Sequence, residues 1–125
     1  MPRPLSQEAT LRALLERKQA ELAAELRRRE GLQVSLHADH VEHSQAVATR
    51  ETAALRLEVV RQTLRDVQDA LLALEGGYYG TCQECDEAIA PRRLAALPWA
   101  QRCLACAERA EQRAAAQARH SEEAA

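Results

Sequence analysis

Cysteine is the residue type whose spacing in this chain most clearly predicts chemistry. The chain has four cysteines, and they form two C-x2-C pairs that are separated by 17 residues: Cys82, Cys85, Cys103 and Cys106. Each C-x2-C turn directs two sulfurs toward one centre, and two such turns supply the four thiolates that suit a tetrahedral Zn²⁺ site. The spacing therefore predicts a closed, structural zinc site.

The sequence gives less support to two other interpretations of the same cysteines. Two disulfides would require an oxidising compartment, and the opening residues 1–8 contain no apolar run of the kind that a signal peptide needs. A C-x2-C redox motif would require one pair to lie inside a βαβ pattern. Zinc binding is the favoured interpretation.

The composition limits the kind of core that the chain can build. Nominally apolar residues make up 46% of the chain, but many are alanine, phenylalanine is absent, and the large aromatics are Tyr78, Tyr79 and Trp99. This inventory suits leucine and valine seams between helices better than a thick globular core. The net charge of −2 argues against a protein that coats nucleic acid nonspecifically. No run of about 18 apolar residues is available to span a bilayer, so we expect a soluble cytoplasmic protein without membrane partners.

Apolar periodicity predicts two long helices, over residues 5–34 and 43–75. Their seams consist of Leu11, Leu15, Leu22 and Leu26 in the first helix, and Ala53, Leu57, Val60, Leu64, Val67, Leu71 and Leu74 in the second. Neither seam is stable alone in water, so each helix needs a partner. We expect them to pair as an antiparallel coiled-coil hairpin over residues 1–77, with a tip at about residues 35–44. Pairing between two chains fits the same seams.

The remaining residues complete the predicted fold. Residues 78–106 are expected to form a four-cysteine zinc-binding module, whose few apolar groups need the free energy of metal binding to fold. Residues 107–125 are expected to form a C-terminal helix that packs lightly on the hairpin through alanines and frays after Ser121. The predicted fold class is therefore all-α with a small zinc knuckle: a long antiparallel coiled-coil hairpin on a four-cysteine zinc base, plus a C-terminal helix.

The predicted hairpin tip is acidic. Between Ser35 and Thr49 the only side chains with a formal charge at neutral pH are Asp39 and Glu42. Carboxylates at the end of a lever can reach a metal ion or a basic groove of a partner. The same two residues also have the spacing of a helix capping box, and the two roles are compatible.

The residues of the knuckle resemble the zinc signature of the DksA/TraR family of bacterial RNA polymerase regulators. The resemblance is carried by Gly77-x-Tyr79-Gly80-x-Cys82-x-x-Cys85, Ile89, Arg93-Leu94-x-Ala96-Leu97-Pro98 and Cys103-x-x-Cys106. The order of the predicted helices is similar as well. The resemblance implies a coiled-coil hairpin on a zinc-containing base and no binding to promoter DNA. It also implies that the hairpin enters the secondary channel of RNA polymerase, where an acidic tip acts near the active centre.

The resemblance assigns a role to three tip residues. The family motif is Asp-x-x-Asp-x-Ala, and the corresponding stretch here is Asp39-His40-Val41-Glu42-His43-Ser44. Asp39 matches, Glu42 keeps the charge on a longer side chain, and Ser44 replaces alanine with a polar group. We expect Asp39, Glu42 and Ser44 to contact the polymerase and to modulate initiation.

The chain departs from the family at two further places. Some members bind the alarmone ppGpp jointly with the polymerase, and such a site needs lysine or arginine for the phosphates. The corresponding positions here are Asp66, Leu97 and Ala107, none of which is basic, so we expect action without ppGpp. Asp86 replaces a common glycine after the second cysteine. Aspartate tolerates positive φ better than most residues, so we expect the knuckle to be retained.

The leading hypothesis is a monomeric transcription regulator that binds RNA polymerase core through its secondary channel, without direct sequence-specific DNA binding. One alternative is a zinc-finger DNA-binding protein, which Arg92, Arg93 and Arg102 favour and three nearby acidic residues oppose. A structural coiled-coil adaptor is the other alternative. An enzyme is not expected, because a four-thiolate zinc leaves no open position for an activated water.

Overall fold

Four helices make up most of the fold. The computed structural model describes residues 5–38 and 43–124, and describes side chains within residues 6–36 and 47–122. The helices are α1 (Leu5–Ala38), α2 (His43–Gly76), α3 (Pro91–Ala96) and α4 (Leu104–Ala124). Among these residues the one β interaction is an isolated antiparallel bridge between Thr81 and Ala88. The predicted all-α fold with a small knuckle is confirmed.

The helices differ from their predicted lengths. α1 continues through Gly31 as far as Ala38, and a glycine inside a helix costs only about 1 kcal/mol. α4 begins at Leu104, three residues before its predicted start, and stays helical to Ala124 rather than fraying after Ser121. No helix in the described part of the chain is both long and apolar enough to cross a membrane.

The two long helices of one chain pack against each other along the predicted seams. Leu15 and Leu22 of α1 are buried against Val60 and Val67 of α2, and Leu15 and Val67 are completely inaccessible to solvent. The neighbouring seam residues are partly buried around this core: Leu11, Leu26, Leu64 and Leu71. Since only four residues separate α1 from α2, the paired helices run in opposite directions. The predicted hairpin is therefore confirmed, and it forms within one chain.

The zinc-binding module, residues 78–106, forms the base of the hairpin, and this base contributes aromatic residues to the hairpin core. Tyr79 and Trp99, which belong to the predicted zinc module, both pack against the buried seam. Lys18 occupies a position where the leucine seam of α1 is interrupted, and its ammonium lies 5.6 Å from the centroid of the Trp99 ring. This cation–π contact lets a lysine stand at a core-facing position, because its charge meets an aromatic face.

A glycine turn connects α2 to the base. Gly77 has φ +82°, a conformation that side chains with a Cβ rarely adopt. The amide of Tyr78 donates to the carbonyl of Ala73 at 3.0 Å, and the amide of Gly77 donates to that of Leu74 at 3.4 Å. These two bonds are those of a Schellman motif, so Gly76-Gly77 ends the helix as predicted.

The outer part of α4 has no packed face. Cys106 is buried and Ala110 is half-buried, whereas every residue from 111 to 122 is exposed. The light packing that was predicted for the alanine face is therefore absent from this part of the helix. The alanines stay in contact with solvent because α4 extends from the base beyond the elements that surround Cys106.

Candidate metal centre

The four cysteines converge on one point of the base. Their Sγ atoms, from Cys82, Cys85, Cys103 and Cys106, all lie within 4.8 Å of one another. The Sγ atoms of Cys85 and Cys103 are 3.8 Å apart, and a tetrahedron with Zn–S bonds of about 2.3 Å has sulfurs about 3.8 Å apart. None of the four forms a disulfide. The geometry therefore fits a tetrahedral zinc ion and does not support the two-disulfide alternative.

A tight turn positions the first cysteine pair. The amide of Cys82 donates to the carbonyl of Glu87 at 2.8 Å, and the amide of Asp86 donates back to the carbonyl of Cys82 at 3.1 Å. Asp86 takes φ +60°, which confirms that aspartate adopts the conformation for which glycine is more common. Ile89 closes the turn by donating to the carbonyl of Gly80 at 2.7 Å, and its side chain is buried beside the cysteines.

The second cysteine pair lies at the start of α4. The amide of Ala107 donates to the carbonyl of Cys103 at 2.9 Å, so Cys106 already belongs to the first helical turn. A backbone bond of 2.9 Å from Gln83 to the carbonyl of Gln101 ties this segment to the first turn, and the two glutamine side chains are bonded at 2.7 Å. These links hold the two pairs in register.

The thiols influence one another's ionisation. Burial raises the pKa of Cys82, but hydrogen bonds from the backbones of Cys103, Cys85 and Glu84 together lower it to about 6. For Cys85, a backbone bond from Glu87 lowers the pKa, yet the adjoining Cys82 sulfur, burial and the other two cysteines raise it to about 12. Ionisation of one thiol thus disfavours ionisation of the next. A bound cation removes this conflict, because a coordinating thiol is deprotonated outright.

Arg109 adds a positive charge directly beside the centre. Its Nη2 donates to the Sγ of Cys106 at 3.1 Å, and this bond raises the pKa of the guanidinium. Sequence reasoning missed Arg109. The signal was its position three residues after Cys106, which becomes informative only once both residues are known to lie in the same helix.

Gln101 and Tyr79 attach the base to the hairpin. The Nε2 of Gln101 donates to the backbone carbonyl of Asp66 in α2 at 2.9 Å, and also to that of Trp99 at 3.0 Å. Tyr79 packs against the hairpin core, and its hydroxyl donates to the carbonyl of Pro98 at 2.6 Å. The loop before the second cysteine pair is thereby held against α2, so the position of the metal centre and the direction of the hairpin are coupled.

The arginines that favoured a DNA-binding interpretation are largely engaged within the base. The Nε of Arg102 donates to the Oε1 of Glu84 at 2.9 Å, and the Nε of Arg93 donates to the carbonyl of Arg102 at 2.9 Å. Arg92 is exposed. Two of the three arginines therefore stabilise the module through bonds within it.

The predicted tip spans the gap between the two described ranges, residues 5–38 and 43–124. Asp39 and Glu42 lie outside the described residues. Ser44 belongs to the first turn of α2, and its side chain is also outside the described ones. The roles of these three residues therefore remain predictions from the sequence.

Comparisons with known proteins agree on both the base and the whole fold. The model of the prokaryotic dksA/traR C4-type zinc finger matches residues 77–112. Transcription factor DksA2 from Pseudomonas aeruginosa superimposes with a TM-score of 0.69 at 32% sequence identity, over 87% of this chain and 86% of that chain. The C4-type finger and the four converging sulfurs together indicate that the chain binds zinc.

Two further proteins are similar over different extents. The RNA polymerase binding protein and transcriptional regulator Dks from Chlamydia trachomatis has a TM-score of 0.55 at 21% identity, over 89% of this chain and 94% of that one. At that identity the likeness concerns the fold alone. An uncharacterized protein from Aquifex aeolicus is 47% identical over 49 residues. That match takes in 39% of this chain and about a third of the Aquifex protein, 34% of its length.

Replacing Arg109 by alanine is expected to weaken zinc retention. The thiolate of Cys106 would lose a charge-assisted donor, and the loss of such an outer partner typically costs at least about tenfold in metal affinity. Zinc transfer from the reduced protein to a chromogenic chelator measures the effect. Arg113→Ala is the matched control, because Arg113 lies one turn further along α4 and bonds to Glu84 at 3.3 Å instead. Equal rates of release from the two variants would contradict the role of Arg109.

Proposed function

This chain belongs to the DksA/TraR family, and we propose that it is a bacterial transcription regulator that binds RNA polymerase directly. In this proposal the hairpin enters the secondary channel, and its acidic tip acts near the active centre to modulate initiation. The observation that carries the proposal is the attachment of a four-thiol centre to a hairpin of two 34-residue helices. Each helix is about 50 Å long at 1.5 Å per residue, so the base and the tip can act on distant parts of one partner.

The base is proposed to aim the hairpin. We assign Cys82, Cys85, Cys103 and Cys106 as the zinc ligands. When bound, zinc neutralises thiolate charge and cross-links the two cysteine pairs. Gln101 then passes the position of the base to α2 through its bond to the backbone of Asp66, and Tyr79 does so through the packing of its side chain against the hairpin core. A metal with four thiolate ligands is coordinatively closed, so we propose a regulatory and non-enzymatic role.

The hairpin is proposed to work as a stiff lever. The buried contacts among Leu15, Leu22, Val60 and Val67 resist separation of α1 from α2, because separation would expose apolar surface at a cost of about 25 cal/mol per Å². Rigidity matters because the carboxylates of Asp39 and Glu42 must be delivered at a fixed distance from the base. We propose that these two residues, with Ser44, contact the polymerase.

The proposed working unit is a monomer in the cytoplasm. A coiled-coil adaptor would bury its apolar seam against a second chain. In this chain α1 and α2 bury their seams against each other. Arg93 and Arg102 are engaged inside the base, which supports action without direct sequence-specific contact to DNA. We also propose residues 1–77, 78–106 and 107–125 as the functional parts of the chain, although Cys106 already lies in α4.

Regulation is proposed to be independent of ppGpp. Asp66 is half-buried and burial raises its pKa, Leu97 is exposed and apolar, and Ala107 has no functional group. None of these side chains can donate a charge-assisted bond to a phosphate. Arg102, which lies between Leu97 and Ala107 in the sequence, is bonded to Glu84.

Replacement of Asp39 by asparagine should abolish regulation and leave affinity for core RNA polymerase within about fivefold of the parent, since a single surface ion pair typically contributes at most about 1 kcal/mol. In vitro transcription measures the first effect, and competition binding to core enzyme measures the second. Asp69→Asn is the control, because Asp69 is an exposed aspartate on α2 far from the tip. An Asp39 variant that regulates like the parent would refute the role of the tip.

Addition of ppGpp is expected to leave regulation by this protein unchanged. The measurement is in vitro transcription with and without ppGpp, at a concentration of protein that gives half-maximal effect. Polymerase alone serves as the control, because it reports any action of ppGpp that does not require this protein. A shift in the half-maximal concentration when ppGpp is present would contradict the proposal.

A further inference from the structure

A cavity of about 300 Å³ is lined by both α2 and the base. Ala70 and Ala73 of α2 line it together with residues 78–83, Asp86 and Gln101. We name this space the joint cavity, because it lies where the hairpin meets the base. It has room for about ten water molecules at about 30 Å³ each, so a ligand of roughly ten non-hydrogen atoms fits inside it.

The charges around the joint cavity favour a cation. The carboxylate of Asp86 belongs to the lining, and no lysine, arginine or histidine does so among the described residues. Cys82 also lines the cavity, and four thiolates exceed the charge of one Zn²⁺ ion, so the occupied metal centre is negative as well. Arg109, which bonds to that centre, contacts Cys106 and does not line the cavity. A lining of this sign attracts positively charged ligands.

Asp86 stands at a position where glycine would cost less. Its φ of +60° is a conformation that residues with a Cβ adopt uncommonly, whereas glycine adopts it without strain. Its side chain forms no hydrogen bond or ion pair with the part of the chain that the structure describes. The turn therefore gives no reason for a carboxylate here, and an outlier of this kind points to a function of the side chain.

Two aromatic rings line the joint cavity in restricted positions. A Cβ added to Gly76 would lie 2.5 Å from the Cε1 of Tyr78, so glycine at this position leaves room for the Tyr78 ring. Gly77, with φ +82°, supplies the turn that ends α2, so the two glycines have different roles. The hydroxyl of Tyr79 is fixed by its bond to Pro98. Aromatic faces attract ammonium and guanidinium groups.

The neutral polar side chains of the lining leave acceptors for a ligand. The Nε2 of Gln101 donates to two backbone carbonyls, and its Oε1 accepts a bond of 2.7 Å from Gln83. The hydroxyl of Thr81 forms no bond within the described ranges, so it is available beside the carboxylate of Asp86. Guanidinium and ammonium groups donate hydrogen bonds and accept none, which suits this set of acceptors.

We propose that the joint cavity binds a small organic cation, a guanidinium or alkylammonium group on a short apolar chain. Asp86 accepts hydrogen bonds from the charged group, Tyr78 contacts it through the ring, and Ala70 and Ala73 contact the apolar chain. The cavity has more room than one arginine side chain fills, which favours a free molecule over the side chain of a partner protein. The ligand contacts α2 and the base together, so its binding strengthens the joint between them. This inference goes beyond the proposed function and does not depend on it.

Titration of the zinc-loaded, isotope-labelled protein with butylguanidinium, followed by NMR, tests the proposal. We expect saturable shifts of the amides of Ala70, Ala73, Thr81 and Gln83, with a dissociation constant below about 1 mM. Butylurea is the matched control ligand, because it has the same shape without the charge, and it should bind at least about tenfold more weakly. Absence of saturable binding by butylguanidinium, or equal binding of the two ligands, would overturn the proposal.

Replacement of Asp86 by asparagine tests the carboxylate. We expect binding of butylguanidinium to weaken by about tenfold, as for the loss of a charge-assisted hydrogen bond. Asparagine also accepts positive φ, so zinc content and circular dichroism should match those of the parent. Asp86→Gly, which removes the carboxylate and relieves the backbone, should give the same loss. Glu87→Gln is the matched control, because Glu87 is an exposed carboxylate that does not line the cavity, and it should change binding by no more than about twofold. Equal losses at Asp86 and Glu87 would show attraction by general charge alone and would contradict the site.

A capped Gly-Arg-Gly peptide separates the two sources of such a cation. If the peptide binds no more tightly than butylguanidinium, the assignment to a free small molecule is supported. If it binds at least about tenfold more tightly, the occupant is a side chain of a partner protein and the proposal is overturned. Failure of the parent protein to bind core RNA polymerase would overturn the proposed function and would leave these titrations unchanged.

Discussion

Four sulfur atoms that share one centre hold the base together, and the direction of the hairpin follows from them. Cys82 and Cys106 are completely or almost completely buried, and with Ile89 they form the core of the base. Beyond the cysteines, the apolar side chains in that core are few, so its packing alone supplies little free energy of folding. The thiols also oppose one another's ionisation, which is why the pKa of Cys85 is raised to about 12. A divalent cation attracts every thiolate, so the same negative charges that repel one another then stabilise the module.

The base matters for function because it is fixed to the hairpin by contacts of several kinds. Trp99 and Tyr79 bury part of their surface against the seam, Lys18 covers the Trp99 ring, and Gln101 bonds to the backbone of α2. A hinge with a single contact would let the hairpin swing, and the tip of a lever about 50 Å long would then move by many ångströms. The metal centre, the aromatic joint and the seam therefore form one mechanical unit.

Much of this architecture was predictable from residue spacing. The C-x2-C pairs predicted the metal centre, and the steps of three and four residues predicted burial of Leu15, Leu22, Val60 and Val67. Ala70 and Ala73 were not predicted to be buried, because an alanine is buried or exposed according to its neighbours and carries little periodic signal. Gln101 was missed because its partner, Asp66, lies 35 residues away in sequence and bonds through its backbone. Arg109 was missed because its contact depends on where α4 begins, which the turn around Cys103 determines.

Hydrogen exchange in the reduced protein, with and without zinc, shows whether the base needs its metal to fold. The amides of Cys82, Asp86 and Ile89 are bonded within the base, whereas those around Leu15 and Val67 lie in paired helices. We predict that chelation of zinc abolishes protection of the base amides and leaves that of the hairpin core largely intact. Equal protection of the base amides in the zinc-free and zinc-loaded proteins would show that the base folds without a metal, and would contradict the role given to the four sulfurs.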